Sequence, residues 1–227
     1  MTAPMGTTGL STAPLRIVAV SAGLSQPSST RMLADRLAAA TREQLETGQD
    51  RRVEVRAIDL RDLAVDIAKN LITGFPSADL QGAVDAVAEA DGLIAVTPVF
   101  SASYSGLFKS FFDLIENTAL TGKPVVIAAT GGSARHSLVL EHAMRPLFAY
   151  LRAVTVPTSV YAASEDWGSS GDEYTDGLPS RIRRAGGELA SAVLGRTVSG
   201  ASRTLGLDDG LDAIVPFAQQ LADLRLD

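Results

Sequence analysis

Ser21, Ser25, Ser28, Ser29 and Thr30 place five hydroxyl side chains within one short loop, "SAGLSQPSSTR" at 21–31. Two further loops share this chemistry: "TPVFSASYSG" at 97–106 and "TGGSARH" at 130–136. All three are rich in Ser, Thr and Gly, and none supplies an obvious acid–base pair. The first loop suits an anion. If a helix begins near Ser29, its free N–H groups and partial positive charge can hold a phosphate, and hydroxyls add donors without net charge. Simple N-capping is the plain alternative, since Ser and Thr are favoured caps, but one cap requires one residue. The second loop offers the flat side chains of Phe100 and Tyr104 beside the hydroxyls of Ser101, Ser103 and Ser105, a set suited to a planar heterocycle with polar edges. An ordinary loop closed by Ser105 as a cap is the alternative. In the third, Gly131 and Gly132 permit close backbone approach to a ligand, or simply a tight turn. His136 reads as a capping or packing residue before a proton shuttle.

Several chemistries are excluded by missing patterns. The dinucleotide fingerprint G-x-G-x-x-G is absent, since Gly23 stands alone in its loop, and so is the phosphate-loop pattern of NTPases. The G-x-S-x-G elbow of serine hydrolases is missing. With no cysteine in 227 residues there are no disulfides, thiolate nucleophiles or Cys metal sites. No metal site is expected. The formal charge of −6 argues against binding to nucleic acid or an anionic membrane. No run approaches the roughly 20 apolar residues of a membrane span. The opening "MTAPMGTTGLSTAPLR" lacks the features of a secretory signal. A cytoplasmic, reducing setting is the expectation.

The elements that position the loops alternate. Apolar β-branched runs at 15–20, 92–96 and 124–129 read as buried strands, and the alternating run at 52–58 as a more exposed one. A shorter strand is expected at 153–156. Helical spacing predicts helices over 31–45, 80–90, 106–116, 136–151, 178–194 and 211–224, while 59–79 is ambiguous with a turn at Gly74-Phe75-Pro76. Near-continuous apolar strands are buried on both faces. Strand alternating with helix implies right-handed crossovers and a parallel sheet. The expected fold is therefore α/β, a flavodoxin-like three-layer sandwich with a five-stranded parallel sheet of order 2-1-3-4-5. Ligands in such a sheet bind beyond the carboxyl ends of the strands, where the three loops lie. The expected organisation is a flexible tail at 1–14, one flavodoxin-like domain at 15–195 and a C-terminal extension at 196–227.

Taken together the three loops resemble the NADPH-dependent FMN reductase family, in particular the reductases that partner flavin-dependent monooxygenases. The resemblance rests on "TPVFSASYSGLFKSFFDL", on "ATGGSARHSLVLEHAMRPL" and, more weakly, on "VSAGLSQPSSTRMLADRL" in the phosphate-loop position, and it spans about residues 15–160. One departure is visible. Many relatives carry an Arg early in the phosphate loop, where this chain has Leu24 and Ser25, and its nearest basic residue is Arg31.

The resemblance implies FMN as the flavin and NADPH or NADH as the reductant. It implies that Ser21, Ser28, Ser29 and Thr30 bind the FMN phosphate. Pro98, Val99, Phe100 and Ser103 would run along the isoalloxazine and ribityl chain, and Thr130, Gly131, Gly132 and Ser133 would line the pyrimidine edge. No catalytic side chain is required, because the flavin carries the chemistry. A partner monooxygenase would receive reduced FMN. The helix at 106–116 carries Leu107, Phe108, Phe111, Phe112, Leu114 and Ile115 over more than one face, an excess that suggests a subunit interface and a homodimer or tetramer. The alternatives are a helix fully covered within the monomer and, for function, a quinone or azo-dye reductase or a flavodoxin-type electron carrier.

Overall fold

The computed structural model describes residues 13–47, 51–168 and 177–200. The chain divides into a unit Met1–Gly195 and a second, Arg196–Asp227. The expected tail, apart from its last two residues, and the helix expected over 211–224 lie outside the described residues.

The central sheet joins β1 (Leu15–Ser21), β2 (Val53–Asp59), β3 (Gly92–Phe100), β5 (Pro124–Gly131) and β6 (Val154–Thr155) in the order β2-β1-β3-β5-β6, with every one of these pairings parallel. A two-residue strand β4 (Ser103–Tyr104) folds back antiparallel on β3, and β7 (Val160–Ala163) pairs parallel with β5. This is the flavodoxin-like order. The fifth position is divided between β6 and β7. The amide of Val156 still bonds Val125 at 2.9 Å, and Pro157, with no N–H to donate, ends that segment before β7 resumes the edge.

Each central strand serves two cores. Leu15, Ile17 and Ala19 of β1 face α1 (Ser29–Glu46) and α6 (Leu178–Gly200), whereas Val18 and Val20 face the opposite layer. That layer includes α3 (Ala78–Glu89) and α4 (Gly106–Phe112). Alternation of side chains along a strand therefore makes both faces apolar, which is why the strands read as continuous apolar runs. The edge strand β2 is mostly exposed and correspondingly mixed, with Glu54 and Arg56 among its residues.

The ambiguous stretch after β2 contains a helix, α2 (Ala64–Thr73), closed by Gly74 in the left-handed conformation at φ 74°. Only Ile67 of α2 is buried. The run expected as one helix over 136–151 is three pieces: a 3-10 turn Ala134–His136, a widened π turn Leu140–Met144, and α5 (Arg145–Tyr150). Pro146 explains the break. Its ring clashes with the carbonyl four residues back in a regular helix, and the widened turn just before it relieves the clash.

The helix beginning at Gly106 ends at Phe112, earlier than expected, in tight turns from Phe111 to Leu114 and from Phe112 to Ile115. Its aromatic residues are buried within the chain. Phe108, Phe111 and Phe112 are at most 1% exposed and pack on one another and on Phe148, with ring centroids 4.7 Å apart for Phe108–Phe112 and 5.0 Å for Phe112–Phe148. The apolar excess of α4 is thus accounted for inside the monomer. No described helix is long and apolar enough to cross a membrane.

Candidate functional site

The carboxyl ends of β1, β3 and β5 are in register. Ser21 pairs with Val96, and Pro98 pairs with Thr130, so the three Ser/Thr/Gly loops leave the sheet side by side. Hydrogen bonds then lock the loops together. The hydroxyls of Thr30 and Thr130 meet at 2.8 Å, linking the first loop to the third across 100 residues. Thr97 accepts from the amide of Ser105 at 3.0 Å, and Ser105 in turn caps α4 by accepting from the amide of Phe108 at 3.2 Å. The second loop is therefore held at both ends.

The first loop turns tightly around Gly23. A Cβ there would lie 2.0 Å from Oγ of Ser28, so this close approach requires glycine. Ser28 caps α1, accepting from the amide of Arg31 at 3.2 Å, and Ser29 is exposed on the first turn. Ser21 is buried at the strand end, with the amide of Gly23 3.5 Å from its Oγ. Thr30 is 2% exposed and its hydroxyl is engaged by Thr130, so its side chain joins loops and is not turned outward.

Arg31, the nearest basic residue, is held away from service as a free cation. Its guanidinium pairs with Asp35 at 2.8 Å and with Asp59 at the end of β2. The hydrogen bond to Asp35 and the charge of Asp59 push its pKa further up against the opposing effect of burial. The loop's capacity for an anion thus rests on hydroxyls and helix N–H groups.

In the second loop Pro98 is buried, Val99 and Ser103 are half-buried, and Phe100 is 48% exposed. Strand pairing of Val99 with Tyr104 and of Phe100 with Ser103 forms a hairpin whose two turn residues, Ser101 and Ala102, have φ of 46° and 67°. A two-residue turn with both centres in the left-handed region is the type favoured in hairpins, normally with Asn or Gly. Here neither residue is glycine, so the turn carries strain of about 1–2 kcal/mol per residue. Tyr104 leans on Phe108, with centroids 5.8 Å apart, and Phe100 remains as the available aromatic face. In the third loop Thr130 is buried, Gly131 and Ser133 are half-buried, and Gly132 is exposed. His136 is exposed on its 3-10 turn.

Sequence reasoning passed over one contributor, Tyr161, and took Thr97 only as the first residue of the second loop. Tyr161 of β7 donates its hydroxyl to the carbonyl of Ser133 at 2.8 Å. The Gly-Gly pair after a strand was its only trace in the sequence, because the glycine makes room for a tyrosine that comes thirty residues later. No group of three or more metal-ligating side chains occurs among the described residues.

The family described as NADPH-dependent FMN reductase matches residues 15–168. The chain is 40% identical over 189 residues to an FMN reductase (NADPH) of Pseudomonas aeruginosa, covering 82% of this chain and 96% of that one. It is 40% identical over 182 residues to the NADH-dependent FMN reductase SfnF of Pseudomonas fluorescens, covering 80% of this chain and 93% of the relative. Among solved structures it resembles an oxidoreductase of Corynebacterium diphtheriae with a TM-score of 0.75 and 45% identity, over 80% of this chain and 98% of that one.

Proposed function

The chain belongs to the NADPH-dependent FMN reductase family, and on that premise we propose that it passes hydride from nicotinamide C4 to flavin N5 and releases reduced FMN to a partner monooxygenase. The observation that carries this reading is the joining of the three loops at the carboxyl ends of β1, β3 and β5, with the Thr30–Thr130 bond as the clasp. The residues present fit FMN. Gly23 lets the loop close directly on Ser28, whose Oγ would lie 2.0 Å from any Cβ there, and so sets the hydroxyls at the start of α1. Ser28 and Ser29, with the first turn of α1, supply donors for the phosphate; Ser21 and Thr30 stand behind them as the loop's buried supports. Val99, Phe100 and Ser103 offer a shelf for the ring and the ribityl chain, above Pro98. Thr130, Gly131, Gly132 and Ser133 border the pyrimidine edge, where backbone N–H groups stabilise negative charge without a titrating side chain.

When bound, FMN supplies the hydride chemistry, and the chain's task is to hold, orient and release it. Because Arg31 is committed to Asp35 and Asp59, no free cation clamps the phosphate from this loop. That favours exchange of the flavin with solution, as delivery to a second enzyme requires. Anaerobic reduction of added FMN, compared for NADPH and NADH, tests the reading directly. FMN consumption beyond one equivalent of protein supports it, and failure with both nucleotides overturns it.

For assembly we retain the homodimer, or dimer of dimers, but place its apolar surface on α2. Val65 is 65% exposed, Leu71 52%, Ile72 86% and Phe75, just past the Gly74 cap, 82%. Val65 and Ile72 lie seven residues apart, on one face of the helix. Clustered exposure of large apolar side chains marks an interaction surface.

A further inference from the structure

Tyr161 is 5% exposed, and its hydroxyl is aimed at the third loop. It donates to the carbonyl of Ser133 at 2.8 Å. The same oxygen dictates which residue stands at 131. An ideal Cβ on Gly131 would lie 2.1 Å from the Tyr161 hydroxyl and 3.2 Å from its Cζ. Glycine and tyrosine therefore fit each other at the point where β5 becomes the loop. Burial, followed by the nearby carboxylates of Glu165 and Asp166, pushes the phenol's pKa up.

The tyrosine is itself braced from two other elements. Its carbonyl accepts from Nη1 of Arg181, on α6, at 2.6 Å. Nη2 of Arg181 pairs with Asp166 at 2.7 Å, and the other carboxylate oxygen of Asp166 accepts from the amide of Ala163 at 2.8 Å. Arg181 and Asp166 thus clamp the backbone of β7 on both sides of Ala162, and the Tyr161 side chain transmits that position to Ser133. Peptide planarity does the rest: with the Ser133 carbonyl drawn to Tyr161, the N–H of the same peptide, at Ala134, is turned to the opposite side.

We propose that Tyr161 is a positioning residue for the bound flavin, its hydroxyl holding the Gly131–Ser133 backbone in the conformation that meets the pyrimidine edge. This rests on the assignment of the third loop to that edge. It differs from the phosphate-loop residues in acting on the ring alone.

The test is Tyr161→Phe in the full chain, which removes one oxygen and keeps the ring that fills the core. FMN and riboflavin are titrated by fluorescence, and the absorption spectrum of each bound flavin is recorded. Loss of one hydrogen bond predicts binding about 2- to 10-fold weaker for FMN and for riboflavin alike, with a shifted bound-flavin spectrum. Gly131→Ala provides the second measurement. It weakens both flavins more strongly in the parent than in the Tyr161→Phe background, where the colliding oxygen is gone. Wild-type affinity and an unchanged spectrum in Tyr161→Phe overturn the proposal, as does a loss confined to FMN, which places the effect at the phosphate. If the wild-type chain binds neither flavin, the functional reading itself fails, an outcome distinct from either.

Discussion

Thr30 on the first turn of α1 and Thr130 at the end of β5 share a 2.8 Å hydroxyl–hydroxyl bond, with both residues almost wholly buried. The bond makes Thr30 a link between two loops, whereas its neighbour Ser29 is exposed.

These two residues are therefore expected to behave differently. On the proposed flavin binding mode, Ser29→Ala removes a donor to the phosphate alone. A hydrogen bond to a charged group is worth roughly 1.5–3 kcal/mol, so FMN binds about 10- to 150-fold more weakly while riboflavin changes little. Thr30→Val strands the Thr130 hydroxyl and lowers stability by about 1–3 kcal/mol, with FMN and riboflavin losing affinity in parallel. Paired titrations and thermal melts check both. An FMN-selective loss in Thr30→Val would show that its hydroxyl contacts the phosphate after all.

The second prediction concerns the two helices that compete as interfaces. Phe111→Asp puts a charge into a fully buried site and is expected to abolish folding. Ile72→Asp changes a side chain that is 86% exposed, so the fold persists while the assembly shifts to monomer. Sedimentation velocity with far-UV circular dichroism distinguishes the two effects. A wild-type chain that is monomeric at micromolar concentration removes the α2 interface.

Acid should loosen the segment around the π turn. Glu141 bonds Nε and Nη2 of Arg145 at 2.5 and 2.9 Å and accepts from Ser159 at 3.0 Å, and these contacts, Arg145 first, hold its carboxyl below the usual carboxylate range. A depressed folded-state pKa stabilises above the unfolded value and loses that contribution as pH falls through the folded value. Glu141→Gln is thus expected to destabilise at pH 7 and to have a smaller effect near pH 3. The side chain is 45% exposed, so the effect is at most about 1 kcal/mol. Urea melts of both proteins at the two pH values measure it; equal differences at both would assign the stability to packing.

Lys123 tests the other end of the sheet. It is 2% exposed, and its ammonium donates to the carbonyls of Val87, Ala88 and Ala90 at 2.8, 2.8 and 2.6 Å, closing the end of α3. Lys123→Met keeps the stem but leaves those carbonyls without this donor. A loss of about 2–4 kcal/mol in chemical denaturation is expected, with flavin affinity per folded molecule unchanged, since the site lies at the opposite strand ends. A selective loss of flavin binding would contradict that separation.

A last prediction separates a releasing reductase from a retained-flavin carrier. With Arg31 neutralised by two carboxylates, the flavin is expected to leave during dialysis, and NAD(P)H oxidation to depend on added FMN. Dialysed protein is assayed with FMN from below to far above the enzyme concentration. A tightly yellow protein whose rate ignores added FMN would favour the carrier.

Much of this was legible in the chain alone. Apolar runs at β1, β3 and β5 signal burial on both faces, and that burial follows from the parallel crossovers. The Ser/Thr/Gly loops after them, with their family motifs, point to the correct strand ends and to flavin chemistry, because small residues and unpaired helix N–H groups are needed locally wherever backbone approaches an anion. What the local pattern could not decide was who occupies whom. The three phenylalanines of α4 read as surplus until Phe148, more than thirty residues on, closes over them, while the apolar surplus of α2 was hidden in a stretch with no clear period. Thr30 reads as an anion ligand until Thr130 appears beside it, and Gly131 reads as a turn until Tyr161 fills the space its missing Cβ leaves. Residue type and spacing determine which chemistry is at hand; only the tertiary contacts determine which hydroxyl is free and which is already bonded, because burial and partnership belong to pairs of residues that the sequence holds far apart.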